Sequence, residues 1–459
     1  MRDSTQAVAC DPDILFLEEE RPKASMEEGQ SKLIDVSELR KGMFIQLDLG
    51  WMDHPFPLNS FKISTDEQIQ TILSLGVESV RHFPERSDAA VPPDAQAGEP
   101  SAEASADAAA AGDRTDGGAS HAAARRNRAR RLENEQHRLA LCERQFSDAT
   151  RQFRRVVETV HASPLLARQD SESVVARCVD DLIGQGESVI RLLSESVGER
   201  SGQHSVNVMV ISLMLGRSLG LQREALVELG LAALLHDIGK LELPDRFRNA
   251  EDGFTSVEHR LYQSHVVHSV SMAQGMGLPP GVVAGIAQHH EMADGSGFPA
   301  RTTGEQMQMT GKIVALVNRY DNLCNPARGS MVTTPHEALS AIFAQMKPRF
   351  DAVVLGAFIR MMGVYPPGSI VQLGNDRYGM VVSVNALRPL RPKVIVHDPA
   401  VPRKEALILD LETQPELGIR RSLKPHQLPK AALDYLSPRR RICYFFERAA
   451  DPDAIGVAA

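Results

Sequence analysis

The sequence predicts a multidomain, mainly α protein: an all-helical central domain between a small α+β N-terminal domain and a small β-rich C-terminal domain. Three observations carry this. At 459 residues the chain exceeds one ordinary core and suggests about three domains of roughly 150 residues. Apolar residues recur at helical spacing from about Leu132 to Gly363. Beyond Tyr365-Pro366-Pro367-Gly368 they collect instead into short β-branched runs bounded by turn residues such as Asn375-Asp376.

The elements follow in chain order. Residues 1–30 are polar and acidic and read as a disordered tail. In the N-terminal domain, 31–86, Leu33–Val36 and Gly42–Leu47 read as strands. Ser64-Thr65-Asp66 signals an N-cap for a short helix faced by Ile69, Ile72 and Leu73 and ending near Gly76, and Val77–Phe83 reads as a last strand. Residues 87–124, rich in Ala, Asp, Gly, Ser and Pro, bury too little to offset chain entropy and are expected to be a flexible linker. The arginines between Arg125 and Arg131 read as the solvated start of a helical lead-in, 125–200. The helical domain spans 201–365. The β-rich domain spans 366–446, with runs at Ile370–Leu373, Gly379–Val382, Lys393–Val396 and Ala406–Leu409, and is expected to be barrel-like; 447–459 read as a tail.

Bulk properties narrow the function classes. A formal charge of -8 argues against a nucleic-acid polymer as partner. Five cysteines, odd in number and without a CxxC pair, make neither a disulfide framework nor a zinc ribbon and fit a reducing cytoplasm. The apolar stretch Leu226–Leu235 is interrupted by Glu228 and is too short to span a bilayer, and no secretory signal is visible. The expected location is cytoplasmic.

The chemistry concentrates in histidines. The helix through Leu226–Leu235 delivers His236-Asp237-Ile238-Gly239-Lys240, and neighbouring helical side chains about 100° apart can both reach one cavity. An Asp carboxylate can bridge two metals, and Lys240, one turn on, can meet a phosphate oxygen. His289-His290 closes a helix beginning near Pro280 and runs into Glu291 and then Asp294-Gly295-Ser296-Gly297-Phe298-Pro299; His265 lies between the two pairs and His204 precedes them. A lone histidine is usually a core or surface residue, which is the reading for His259 and His268. Six ligand-type residues in one helical domain point to metal, and mixed imidazole and carboxylate donors suit Fe, Mn, Ni or Zn without selecting among them.

HDIGK, His265, HHE and DGSGFP together resemble the HD-GYP branch of the HD phosphohydrolase superfamily over roughly Gly202 to Pro366, with Phe298 in place of the usual Tyr. Residues 34–83 resemble the uncharacterised domain that often precedes it. The resemblance implies an HD-type metal phosphohydrolase holding two divalent metal ions, Fe or Mn first, that hydrolyses cyclic di-GMP to pGpG or GMP. It implies metal ligation by His204, His236, Asp237, His265, His289, His290 and Asn318. Asp237 would bridge, Lys240 would contact phosphate, and Asp294, Gly295, Gly297, Phe298 and Pro299 would shape the substrate pocket. The chemistry so implied is in-line attack of water on phosphorus, the cations lowering the pKa of the water.

Three departures bear on this. Asn318, a neutral and weaker ligand, stands where the family has an Asp, which implies weaker activity; a slip of nearly one turn would bring Asp321 there instead. Arg200 replaces the Glu of trinuclear members and argues against a third metal. Arg248–Phe254 lacks the usual Lys-Pro-Gly, which would alter guanine or phosphate contacts. The alternative function is a catalytically degenerate module, sensing cyclic di-GMP or serving as a protein-interaction scaffold. A phosphohydrolase for another nucleotide fits the HD core but not DGSGFP. Signalling protein partners, homodimerisation and the input signal are left open by the sequence.

Overall fold

The computed structural model describes residues 31–47, residues 60–87 apart from 64, 75–76 and 78, and residues 116–448 apart from 185–187, 196, 199, 250–252, 327–332, 386–387, 407 and 415–416. The expected tail at 1–30, most of the expected linker and residues 449–459 lie outside the described residues. The chain forms two compact units that divide near Ala108.

In the first unit β1 (Lys32–Asp35), β2 (Phe44–Gln46), β3 (Ser60–Lys62) and β4 (Ser79–His82) form an antiparallel sheet in the order β1-β4-β2-β3, with α1 (Asp66–Ser74) between β3 and β4 in the chain. Ile34, Ile45, Leu47, Ile63, Ile72 and Val80 make its small core. The sequence reading did not place β3, which has only three residues.

The second unit opens with α2 (Asp116–Thr159) and α3 (Pro164–Gly184), so the first helix begins inside the stretch expected to be linker. β5 (Ser188–Leu192) follows, a strand in the expected helical lead-in. The helical body comprises α4 (Arg200–Ser218), α5 (Arg223–Leu235), α6 (Ser256–Gln263), α7 (His265–Gly275), α8 (Pro280–Gln288), α9 (Met309–Cys324), α10 (Pro335–Met346) and α11 (Ala352–Met362). Thr255 with Glu258 and Thr334 with Glu337 form reciprocal capping boxes that satisfy the first amides of α6 and α10. Asp351 caps α11 through the amides of Val353 and Val354.

Beyond lie β6 (Ile370–Leu373), β7 (Tyr378–Asn385), β8 (Lys393–Val396), β9 (Ile408–Asp410), β10 (Ile419–Leu423), α12 (Lys430–Leu436) and β11 (Tyr444–Arg448). The sheet runs β10-β6-β7-β5-β11, with β8 and β9 branching from β7. Two expectations change here. The β-rich segment is not a separate domain, because β5 sits between β7 and β11 and one continuous core joins the sheet to the helices. Nor do residues 447 and 448 belong to a tail, since they pair with Val189 and Ser188. The β5 segment Ser188-Val189-Ile190-Arg191-Leu192 is too short to separate from helix by periodicity, and its partners lie almost two hundred residues or more along the chain. No helix among the described residues is long and apolar enough to cross a membrane.

Candidate metal centre

α5 is apolar almost throughout its length, and Leu229–Leu235 are all buried. That burial pins the helix end and drives His236, its C-cap, into the interior with no exposed surface. A 3₁₀ turn, Ile238–Glu242, then lifts Asp237 and Lys240 toward a cavity. Gly239 permits the close approach of α7: a Cβ there would lie 2.3 Å from the His265 carbonyl oxygen and 2.2 Å from the Ser269 amide nitrogen. The Gly239 amide donates instead to Ser269 Oγ at 2.8 Å.

Asp237 lies between two groups of imidazoles. Its Oδ2 is 3.5 Å from His204 Nε2 and 3.4 Å from His236 Nε2; its Oδ1 is 3.4 Å from His265 Nε2 and 3.6 Å from His289 Nε2. Donor atoms of His204, His236 and Asp237 fall within 4.8 Å of one another, as do those of Asp237, His265, His289 and His290. The structure therefore brings together the six expected His and Asp ligands. Asn318, on α9, is buried, and its Oδ1 accepts from Asn322 Nδ2 at 2.7 Å, one turn along its own helix.

The donor chemistry fits cations. Nδ1 of His236, His265 and His289 donates to the carbonyls of Ala233, Tyr262 and Ile286, at 2.7, 2.5 and 2.6 Å. Each ring thereby turns its Nε2 inward. His265 Nε2 and His289 Nε2 are then only 3.2 Å apart. Asp237 Oδ1 and His290 Nε2 are buried without a hydrogen-bond partner among the described residues. Acceptors converging on acceptors in a buried site are what a divalent cation satisfies.

Electrostatics agrees. Burial pushes the imidazole of His236 down to about 4 and that of His265 to about 3, and holds His290 well below the usual range, so these rings are neutral, the form that can donate a lone pair to a cation. Burial would also lower His204, but hydrogen bonds to Asp237 and Asp321 raise it to about 9; ligation exchanges such a proton for a metal ion. Burial works against the Asp237 carboxylate, yet Lys240 and His236 hold it well below the usual carboxylate range. Lys240 Nζ lies 2.6 Å from Asp237 Oδ2 and 5.7 Å from the Tyr262 ring centre.

The segment Asp294–Pro299 packs on the second imidazole group. The Phe298 ring stacks on His290 at 4.5 Å and 20° between planes, and the Phe298–Pro299 peptide is cis. Gly297 lies so close to the backbone of His290–Met292 that a Cβ would meet it at 2.5 Å or less. Glu291 accepts from the amides of Ala300 and Thr302, while Asp294 accepts from the amide and hydroxyl of Ser296, closing its own turn as Gly295 adopts a positive φ. A cavity of about 490 Å³ opens on the first imidazole group; His204, Asp237, Lys240, Arg248, Asn322 and Arg441 are among the residues lining it.

The sequence reading missed the support behind His204. Its Nδ1 donates to Asp321 Oδ2 at 2.6 Å. Asp321 Oδ1 accepts from Asn207 and from Asn325 Nδ2, the latter at 2.9 Å. Both asparagines also bind the backbone of Ile442, and Asn207 Oδ1 accepts from the Tyr444 amide at 2.8 Å. A signal existed: Asn207 follows His204 by three residues and Asn325 follows Asp321 by four, spacings that share a helix face. The side chain of Arg200 lies outside the described residues, as do residues 250–252.

A helical body whose His-Asp doublet sits between two imidazole groups defines an HD-type metal phosphohydrolase. Residues 187–354 match the HD domain family, and residues 31–170 match a domain of unknown function, DUF3391. The chain is 30% identical to a cyclic di-GMP phosphodiesterase of Pseudomonas aeruginosa over 384 residues, 80% of this chain and 84% of that one. It is 24% identical to a cyclic di-GMP phosphodiesterase of Borreliella burgdorferi, covering 42% of this chain and 50% of that one. It is also 28% identical to a 3'3'-cGAMP-specific phosphodiesterase of Vibrio cholerae, covering 40% of this chain and 44% of that one. The chain belongs to the HD-GYP family of HD phosphohydrolases.

Proposed function

We propose that the chain is a metal-dependent phosphodiesterase that hydrolyses cyclic di-GMP, to pGpG or GMP, in second-messenger signalling, with two divalent cations, Fe or Mn first. The observation that carries the reading is Asp237, each of whose oxygens faces two imidazole Nε2 atoms. The Pseudomonas aeruginosa relative, matched over most of both chains, supports this substrate over another nucleotide.

In this reading His204, His236 and Asp237 hold one cation, and Asp237, His265, His289 and His290 the other. Bound cations lower the pKa of an attacking water and offset charge on the phosphoryl oxygens. Lys240, raised by Asp237 against the effect of burial, stays protonated and presents its ammonium to a phosphoryl oxygen. Tyr262 walls Lys240, and Phe298 shields His290. Cys443 lines the cavity, but burial pushes its thiol up to about 12, which leaves no thiolate nucleophile.

Asn318 favours a second reading, a degenerate module that binds cyclic di-GMP or scaffolds other proteins, because its Oδ1 already accepts from Asn322. Anaerobic purification, metal quantitation and cyclic di-GMP turnover with added Mn or Fe separate the two. The enzyme reading expects about two metals per chain and turnover well above an Asp237→Ala control. Binding without turnover beyond that control sinks it in favour of the second reading. Asn318→Asp is expected to raise metal occupancy and rate together.

A further inference from the structure

We propose that Arg441, from the segment leading into β11, is a substrate-binding residue that grips the phosphodiester of the cyclic dinucleotide not undergoing cleavage. The inference rests on the substrate reading above and deepens it.

Arg441 lines the same cavity as His204, Asp237 and Lys240, although it lies 87 residues beyond the end of the HD match at residue 354. Two acidic groups line that cavity, and both are engaged: Asp237 pairs with Lys240 at 2.6 Å, and Asp321 accepts from His204 and the two asparagines. Arg248 pairs with Asp245 at 2.9 Å and donates to the Leu243 carbonyl. For the half-buried Arg441 side chain the structure gives no hydrogen bond or ion pair among the described residues.

Its backbone is nonetheless fixed. The next residue, Ile442, donates its amide to Asn325 Oδ1 at 2.7 Å, and its carbonyl accepts from Asn207 and Asn325. A guanidinium on an anchored backbone, lining a cavity whose carboxylates are engaged by other partners, is preorganised for an external anion. A cyclic dinucleotide carries two phosphodiesters. When one lies at the metal centre beside Lys240, the other needs a planar fork of donors, which Arg supplies and Lys does not.

The test compares wild type, Arg441→Ala and Arg441→Lys with cyclic di-GMP, reading KM and kcat, or Kd if the chain binds without cutting. Bis(4-nitrophenyl) phosphate, with one phosphodiester, serves as the second substrate. Arg441→Ala is expected to raise KM or Kd for the dinucleotide about tenfold or more, while kcat/KM for the small diester stays within about twofold. Arg441→Lys should fall between and keep the salt dependence that the alanine variant loses. Equal dinucleotide affinity in wild type and both variants overturns the role of Arg441 and leaves the substrate reading standing. A wild-type protein that neither binds nor cuts cyclic di-GMP overturns both. Arg441→Lys keeps the charge and most of the side-chain packing, so its loss of affinity carries the conclusion even if the alanine variant is poorly folded.

Discussion

His204 Nδ1 lies 2.6 Å from Asp321 Oδ2, and through that contact α9 sets the orientation of the first imidazole group. The carboxylate fixes the ring so that Nε2 faces Asp237 and His236. Asp321→Ala should therefore weaken metal binding about 10–100-fold, the usual cost of removing such a partner. Metal titration followed by equilibrium dialysis reads this directly. Unchanged affinity would show that His204 is held by packing alone.

Asn207 ties the same carboxylate to β11. Its removal orphans the buried Tyr444 amide and withdraws one donor from Ile442. Asn207→Ala is expected to destabilise the fold by about 2 kcal/mol or more, one unsatisfied buried donor plus a lost charge-assisted bond. Denaturant unfolding of the metal-free protein measures it separately from metal binding.

Gly239 offers a steric test. A methyl group there meets backbone atoms of α7, not a movable side chain. Gly239→Ala should cost on the order of 3 kcal/mol, and metal occupancy should fall as His265 moves away from Asp237. A variant with wild-type melting temperature and metal content would contradict the packing described.

Asp351 gives a pH dependence remote from the metals. Burial alone raises its carboxyl, but Lys312 at 2.9 Å and the amides of α11 lower it below the usual value on balance. A carboxyl depressed in the folded state contributes stability above its unfolded pKa of about 4, lost as pH falls through the folded value. Asp351→Asn should therefore be less stable than wild type at neutral pH, with the gap closing below about pH 4. Unfolding free energies at pH 7 and pH 3 check the sign.

How much of this was legible in the residues varies by scale. The four expected runs at Ile370, Gly379, Lys393 and Ala406 correspond to β6, β7, β8 and β9, because β-branched runs between turns are local signals. The His-Asp and His-His doublets were legible because metal sites need particular residue types, and the structure brings their donor atoms together. The placement of β5 was not legible. Its sheet partners are far along the chain, so no window of sequence holds the information. Asp321 shows the same limit at the site: its type and spacing suggested a substitute ligand for Asn318, but tertiary packing turns it toward Nδ1 of His204.

The pairing of β5 with β11 bears on biosynthesis. Arg191 and Glu447 meet in that pair across 256 residues of chain, and the helices carrying the metal donors lie between them. During translation those helices leave the ribosome before the strand that completes their sheet, and before the asparagine-bound backbone at Ile442 and Tyr444. A nascent chain stalled before residue 440 holds every proposed metal donor but lacks the backbone that anchors Asn207 and Asn325. The backbone that anchors Asn207 and Asn325 is thus synthesised only after every proposed metal donor, which ties the assembly of the centre to the arrival of β11.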